Sequence, residues 1–271
     1  MNRRQLWISL LLLWSLAPML WQLISSFTTT AALVDGGVPF LQRWTLIHYR
    51  QLLSSDPPFW RFLLNSTVLA SASTVLNIAL AIPAAYGLVR LPQRRLRVSR
   101  ALIAGAALFP YVLLFLALLE LARSLNLGNS LLALAIPYSA LSLPLALLLL
   151  TAAFEGLPRD LDDAAKLEGM SLVQRLRWVL IPLIAPATAS TAILVFLFAW
   201  NEYPIALTWL SRSEQLTLPV AMARIAGSSV YSVPYGAYAA ATVLGALPLL
   251  LLVLLFQRQI VSGLTNGAVK G

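Results

Sequence analysis

The chain has 271 residues, of which 59% are hydrophobic and 11% are charged, and its mean hydropathy is +0.81. A soluble domain carries roughly 25% charged residues, so this composition excludes an ordinary water-soluble protein. The chain has no cysteine, which excludes thiol catalysis, disulfide bonds and cysteine-ligated metals. The net charge of +9 could indicate nucleic acid, but the charges lie at the ends of apolar segments, and orientation in a membrane explains them better.

Long segments without charged residues predict membrane spans. A bilayer core needs about 20 apolar residues in a helix, and backbone groups in lipid must be hydrogen-bonded within their own segment. The sequence predicts spans at roughly residues 6–27, 62–88, 101–122, 131–153, 184–207 and 237–257. These segments do not alternate as the strands of a barrel would. We therefore predict an all-α polytopic membrane protein, a single domain over residues 1–271 with six transmembrane helices.

The N-terminal segment and the basic residues predict the orientation. The start, MNRRQLW, resembles a secretory signal. Its apolar region is longer than a signal core usually is and lacks a clear cleavage site, which favours an uncleaved first span. With the N-terminus in the cytoplasm, 13 of the 19 Lys and Arg residues lie on the inner side, as the positive-inside rule requires. Six spans then place the C-terminus in the cytoplasm as well.

One short hydrophilic segment gathers an unusual share of the charges. Eight charged residues lie between Arg159 and Arg177. We interpret Asp160 as the N-cap of a short helix and Gly169 as the residue of positive φ that ends it. Ala164 and Ala165 give this helix a small-sided face that can approach another surface closely.

A second helix is predicted directly after the first. Ser171 and Gln174 have the spacing of a capping box, and Pro182 is expected to end the helix before the fifth span. One apolar stripe follows at helical spacing; it consists of Leu172, Val173, Leu176, Val179 and Leu180. The segment is thus predicted to be a helix–turn–helix, with its second helix against the spans and its first projecting outward. A solvated amphipathic loop on lipid headgroups is the alternative.

The same segment carries a known pattern. Asp163-Ala164-Ala165 is followed after three residues by Gly169, and after nine more by Val179-Leu180-Ile181-Pro182. This spacing resembles the signature of binding-protein-dependent ABC import permeases, E-A-A, three residues, G, nine residues, I-x-L-P. Asp replaces Glu, Val replaces Ile and Ile replaces Leu. Other segments are similar to the sugar-transporting, maltose-type branch, among them FLLNSTVLA (62–70), PAAYGLVRLP (83–92), FAWNEYPIAL (198–207) and GLTNGAVKG (263–271).

The resemblance implies a fold, partners and a location. The fold would be that of a type I ABC importer permease, in the bacterial inner membrane. The loop 155–183 would hold a coupling helix that docks on a separate dimeric ATPase, and the tail 263–271 would contact the same ATPase. A second, related permease and an extracytoplasmic solute-binding protein would complete the transporter, and no nucleic acid is expected. This chain has no G-x-x-x-x-G-K-[ST] phosphate loop, so ATP and Mg²⁺ would be used by the separate ATPase. We expect this chain to bind no cofactor and to have no enzymatic activity.

The expected substrate is a disaccharide, oligosaccharide or glycoside. An ABC permease for a phosphorylated polyol and a non-ABC secondary transporter are the alternatives. A secondary transporter usually has more spans and buried acids or histidine pairs, which this sequence does not suggest.

Four consecutive residues are candidates for the sugar pathway: Trp200, Asn201, Glu202 and Tyr203. Polar groups inside a membrane are costly and usually functional, and aromatic rings beside amides suit hydroxyl-rich ligands. Hydrogen bonding between helices, or pairing of Glu202 with an arginine, is an equal alternative. The single histidine, His48, has no histidine partner, so we interpret it as structural or interfacial, and we expect no metal site.

Overall fold

The computed structural model describes residues 3–34, 44–227 and 234–268, with side chains described as far as Gln257 except that of Arg159. Within these residues every element of secondary structure is a helix. Four helices are long and apolar enough to cross a membrane: span 1 (Arg3–Ser26), span 2 (Phe59–Val89), span 4 (Leu131–Glu155) and span 6 (Tyr235–Ala268). The number rises to six if each of two bent helix pairs is counted as one span.

The first bent pair occupies the predicted third span. The helices Gln93–Ala107 and Tyr111–Ser124, together called span 3, meet at 76°. Pro110 lies at the break; it has no N–H to donate, and it disfavours helical geometry at the preceding residue. The predicted third span, 101–122, lies within this bent pair.

The second bent pair joins the hydrophilic segment to the fifth span. The arm helix, Leu172–Leu183, meets span 5, Ala185–Asn201, at 84°. The predicted fifth span, 184–207, is too long at its far end, because the helix ends at Asn201 and a separate helix begins at Pro204. Pro204 is the first residue of that helix, a position where a proline's missing N–H has no partner to lose.

The described chain divides into two compact units. One comprises Met1–Leu64 and Leu216–Leu251, and the other comprises Asn65–Gln215 and Leu252–Gly271. The first unit contains span 1, the start of span 2, the first half of span 6 and the short helices Thr30–Val34, Ile47–Leu53 and Leu218–Ala226. The second contains the rest of span 2, spans 3, 4 and 5, and the hydrophilic segment.

In the first unit, His48 is a buried structural residue, as expected. Its ring nitrogen Nε2 lies 3.0 Å from the carbonyl oxygen of Thr28. The neighbouring Tyr49 hydroxyl is hydrogen-bonded to Ser26 at 2.7 Å. Gly236, at the start of span 6, leaves the space that the histidine ring needs, since a Cβ atom there would lie 2.1 Å from Nε2. His48 therefore ties the helix Ile47–Leu53 to the residues after span 1.

The core of the second unit lies between spans 2, 4 and 5 and the arm helix. It includes the fully buried small residues Ala81, Ala85 and Ala146, and small residues let helix backbones approach one another in a membrane. Asn77 in span 2 is fully buried, and its amide donates to the Ser139 carbonyl at 2.9 Å and to the Ser142 hydroxyl at 3.0 Å in span 4. The Asn77 side chain thus joins spans 2 and 4.

Replacing Gly236 with alanine tests the packing of His48. The added methyl group must displace the imidazole and break its bond to Thr28, so we expect Gly236→Ala to lower the free energy of unfolding by about 1–3 kcal/mol. Gly105→Ala is the control, because a Cβ atom there meets nothing within 4 Å. Thermal unfolding in detergent measures both variants, and equal midpoints would contradict the packing described.

Candidate functional site

The hydrophilic segment begins with a nine-residue helix, Arg159–Leu167, here called the loop helix. The prediction that Asp160 caps it is wrong: Pro158 occupies the N-cap, no side chain caps the helix, and Asp160 lies inside the first turn. The fixed φ of Pro158, −58°, suits entry into a helix. Asp160 and Asp162 still place negative charge near the positive end of the helix dipole.

The loop helix ends at Gly169 as predicted. Gly169 has a φ of +78°, a conformation that costs other residues energy because their Cβ atom approaches the carbonyl oxygen. The N–H of Gly169 donates to the Lys166 carbonyl at 2.9 Å, and that of Met170 donates to the Ala165 carbonyl at 3.1 Å. This is the hydrogen-bond pattern of a Schellman motif, which satisfies the last carbonyls of a helix.

The arm helix starts two residues later with the predicted capping box. The Gln174 side chain accepts from the Ser171 N–H at 2.8 Å, and the Ser171 hydroxyl accepts from the Gln174 N–H at 3.4 Å. Both helix ends at the turn are thus hydrogen-bonded, and the turn between them is only a few residues long. The loop helix and the arm helix are therefore joined by a short hydrogen-bonded turn rather than by an irregular loop.

The arm helix packs on the core of the second unit over its later half. Leu180 is buried there, and Leu176, Val179 and Ile181 are partly buried against the same cluster. Leu172 and Val173 are exposed, so the predicted stripe is wrong at its start. Residues Arg175–Leu180 form a π-helix directly before Pro182. The helix ends at Leu183, one residue beyond the predicted stop.

The residues of the motif divide between exposed and buried positions. On the loop helix, Asp163 and Ala164 are exposed, Ala165 is 7% exposed, and Gly169 is exposed. On the arm helix, Val179 and Ile181 face the core, and Pro182 is exposed. The exposed face of the loop helix also presents Leu167, which is 91% exposed.

Asp163 has one close charged partner, Lys166. The ammonium nitrogen lies 2.9 Å from a carboxylate oxygen, and the side chains are 45% and 60% exposed. The hydrogen bond with Lys166 and its charge lower the pKa of Asp163, and the same bond raises the pKa of Lys166. Such exposed pairs contribute little to stability, so the structure leaves the Asp163 carboxylate available to another molecule.

The neighbouring acid, Asp162, has a different environment. It is 1% exposed and lies among Tyr86 of span 2, Arg90 directly after span 2, and Arg175 of the arm helix. Burial raises the pKa of its carboxyl group, but the hydrogen bond from Tyr86 and the charges of Arg90 and Arg175 outweigh it, so the pKa is lowered below its ordinary value. Asp162 is therefore a carboxylate at neutral pH.

Sequence reasoning missed this cluster. Its members lie up to 89 residues apart, and the motif directs attention to Asp163. A signal was present, because Tyr86 and Arg90 share one helix face at the end of span 2. A pocket of about 440 Å³ borders the cluster and is lined in part by Tyr86, Arg90 and Asp162, together with the ion pair of Arg100 and Glu155.

The four candidate pathway residues do not form one cluster. Trp200 is 3% exposed and stacks on Phe196, with ring centroids 5.7 Å apart. Asn201 is exposed, and its amide donates to the Leu197 carbonyl at 2.8 Å. Tyr203 is half-buried. Asn201 and Tyr203 are accessible to a solute in this chain, and Trp200 is not.

Glu202 is engaged by the protein itself. It is 2% exposed, accepts a hydrogen bond from the Tyr138 hydroxyl, and accepts from the N–H groups of Ile205 at 2.8 Å and Ala206 at 3.0 Å. It thereby satisfies the first backbone donors of the helix Pro204–Trp209. Of the two interpretations of Glu202, the contacts favour hydrogen bonding between helices.

The tail lies at the edge of the described chain. The backbone of span 6 is helical as far as Ala268, and residues 269–271 lie outside the described residues. The helical backbone over residues 263–268 does not test the predicted contact of the tail with an ATPase, which stays a prediction.

Comparison with known proteins agrees with the predicted fold and family. Residues 77–266 match the family model of binding-protein-dependent transport system inner membrane components. The sulfoquinovosyl glycerol transport system permease protein of Agrobacterium fabrum is 39% identical over 97% of this chain and 92% of its own length. The trehalose transport system permease protein of Mycobacterium tuberculosis is 38% identical over 95% and 93%.

A third relative, the trehalose/maltose transport system permease protein of Thermococcus litoralis, is 37% identical over 94% of this chain and 92% of its own length. Among solved structures, a chain of a bacterial ABC transporter involved in alginate import superposes with a TM-score of 0.76. That match has 22% identity and covers 94% of each chain, so the two chains share a fold. This chain belongs to the family of binding-protein-dependent transport system inner membrane components.

Proposed function

We propose that the chain is the permease subunit of an ATP-driven importer for a disaccharide, oligosaccharide or glycoside. The observation that carries this proposal is the rigid helix pair of residues 159–183, closed by Gly169 and Ser171, in a chain of this family. The relatives are named for sulfoquinovosyl glycerol, trehalose and maltose, all of them glycosides or disaccharides. Their range supports the class of substrate and leaves the individual sugar open.

The same geometry supports docking on a separate ATPase. The exposed face of the loop helix carries Asp163, Ala164, Leu167 and Gly169, so one carboxylate, small residues and one protruding leucine face outward. Such a face suits a groove on another protein, because small side chains permit close approach and Leu167 can be buried there. ATP and Mg²⁺ would be bound by that ATPase, and the basic residues would hold both termini of this chain in the cytoplasm.

A second related permease and an extracytoplasmic solute-binding protein complete the proposed transporter. A further solved structure, of an alginate ABC transporter in complex with a pentasaccharide-bound periplasmic protein, superposes with a TM-score of 0.63 at 15% identity. The outer segments predicted here to receive such a protein lie partly outside the described residues, and no individual contact is assigned to them.

Reconstitution in lipid vesicles tests the proposed function. We expect trehalose to accumulate only when ATP and Mg²⁺, the ATPase, the second permease and the binding protein are all present. Maltose, diacetylchitobiose and glycerol 3-phosphate serve as competitors, and competition by the last alone would favour the phosphorylated polyol. Accumulation of trehalose by the purified chain by itself would contradict the proposal and support a secondary transporter.

Two substitutions at Gly169 distinguish the need for a positive φ from the need for space around the residue. Valine is strained at a φ of +78°, by about 1–2 kcal/mol, whereas asparagine tolerates that region. A Cβ atom meets nothing within 4 Å in this chain, so both variants should insert normally. We expect Gly169→Val to lose most ATP-dependent uptake and Gly169→Asn to retain more of it.

Normal uptake by Gly169→Val would contradict a coupling role for this turn. Equal and severe loss in both variants would indicate that the partner leaves no space for any side chain at this position.

Substitutions of Glu202 and Asn201 are expected to have different effects, the first on stability and the second on uptake. Glu202→Gln removes one of the acceptor oxygens that bind Ile205, Ala206 and Tyr138, so the free energy of unfolding should fall by about 1–3 kcal/mol. Asn201→Ala should unfold at the wild-type temperature, since its side chain is exposed, but should reduce uptake if it contacts the sugar. Thermal unfolding and vesicle uptake distinguish these results, and normal uptake by Asn201→Ala would remove it from the pathway.

A further inference from the structure

The Asp162 cluster joins three helices through one carboxylate. One oxygen accepts from Arg175 of the arm helix at 2.8 Å, and the other accepts from the Tyr86 hydroxyl of span 2 at 2.9 Å. Arg90, the residue directly after span 2, forms an ion pair with the same group. The carboxylate belongs to the loop helix, so its hydrogen bonds connect that helix both to span 2 and to the arm.

Further contacts hold the partners of Asp162 in place. The Arg90 guanidinium lies 5.0 Å from the centroid of the Tyr86 ring, a cation–π arrangement. The Tyr86 ring meets Phe154 of span 4 edge-on, with centroids 5.9 Å apart. Arg175 Nη1 also lies 3.3 Å from the Tyr86 hydroxyl. The carboxylate is therefore bound by groups that are themselves packed into the core.

The charges make this contact hard to replace. Arg90 and Arg175 both face Asp162, and Lys166 lies 3.5 Å from it. Without the carboxylate, the side chains of two arginines would remain close together, that of Arg175 only 12% exposed. An uncompensated buried charge is strongly unfavourable, so the loop helix should leave this position only if the arginines are also released.

Asp162 and Ala165 fix which face of the loop helix is exposed. They lie three residues apart, on one side of the helix, and both are buried. Asp163, about 100° further round the helix, consequently faces outward with Leu167. The turn after the helix is closed by its own hydrogen bonds, so the loop helix and the start of the arm move as one body.

We infer that Asp162 is a positioning residue of energy coupling: through Arg90 and Arg175 it clamps the loop helix to the end of span 2. A displacement of the exposed face of the loop helix is then passed to span 2 as well as to span 5 through the arm. This inference rests on the proposed function, because it assigns the path by which the ATPase moves the spans.

Spin labels test the clamp without a transport substrate. The chain has no cysteine, so Leu167→Cys and Arg94→Cys introduce unique labelling sites on the loop helix and just beyond span 2, both exposed. Arg94 lies in the first turn of span 3, four residues after Arg90. In lipid nanodiscs we expect a narrow distribution of distances between the two labels in the otherwise unchanged chain and a broad one with Asp162→Asn. Asp162→Glu, which keeps the carboxylate, should restore the narrow distribution in part.

Glu155→Gln is the matched control. Glu155 is the last residue of span 4, not part of the loop as predicted, and it forms an ion pair with Arg100 in which both side chains are about one third exposed. It lines the same pocket, so its loss removes a carboxylate at the same end of the bundle without touching the clamp. A narrow distribution in Asp162→Asn, or an equal broadening in Glu155→Gln, would overturn the inference.

ATP hydrolysis by the assembled transporter supplies the second measurement. We expect stimulation by the trehalose-loaded binding protein to fall about tenfold in Asp162→Asn, within the usual range of a coupling free energy, and to be unchanged in Glu155→Gln. If Asp162→Asn assembles poorly, the double variant with Arg175→Gln removes the more buried of the two unpaired arginines and should assemble while stimulation stays low.

The outcomes separate the two proposals. A wild-type complex in which the binding protein does not stimulate hydrolysis would contradict the proposed function. Normal stimulation in Asp162→Asn, beside a responsive wild type, would overturn only the clamp. A broadened distance distribution with normal stimulation would also overturn it, because the cluster would then stabilise the loop helix without carrying the coupling.

Discussion

In a bilayer, each backbone N–H and C=O group must find its partner within the protein. The chain meets this requirement with long helices and, at several helix starts and connections, with polar side chains. Ser130 accepts from the Ala133 N–H at the start of span 4, and Glu202 accepts from the two N–H groups that follow Pro204. Asn129 accepts from the N–H groups of Ser211 and Arg212. Polar residues that look like ligand-binding groups in such a sequence are therefore often bonded to the backbone.

The same requirement explains which parts of the fold could be predicted. Span positions follow from the length of apolar segments, so the centre of each predicted span lies within a long helix or a bent helix pair, and the fifth predicted span was too long beyond Asn201. Helix ends with a local signature were also predictable, because Gly169 and the pair Ser171 and Gln174 act within a few residues of chain. The sequence does not show which proline breaks its helix, because Pro110 lies at the 76° bend in span 3 whereas Pro83 in span 2 and Pro144 in span 4 lie inside unbroken helices.

Contacts between residues far apart in the sequence were the main feature that the sequence did not predict. Nothing near Asp162 in the sequence indicates that its partners are Tyr86 and Arg90, and a family motif that begins at Asp163 points to the adjacent residue. The two acids differ by one position, which on a helix is about 100° of rotation, and that rotation separates a 1% exposed carboxylate from one whose side chain is 60% exposed. Burial, which sequence alone does not supply, decides which of the two residues belongs to the protein's own framework.

The two acids explain together how a short helix can be both firmly held and available for docking. A helix of nine residues is marginally stable by itself, and small exposed side chains give it little to bury. Its stability must come from one side, where Asp162 and Ala165 meet the core, and from its hydrogen-bonded end at Gly169. The opposite side can then remain small and exposed without loss of order. A mobile helix would absorb a displacement applied to it, whereas a helix fixed by charge at one face and by hydrogen bonds at its end passes that displacement to the spans that hold it.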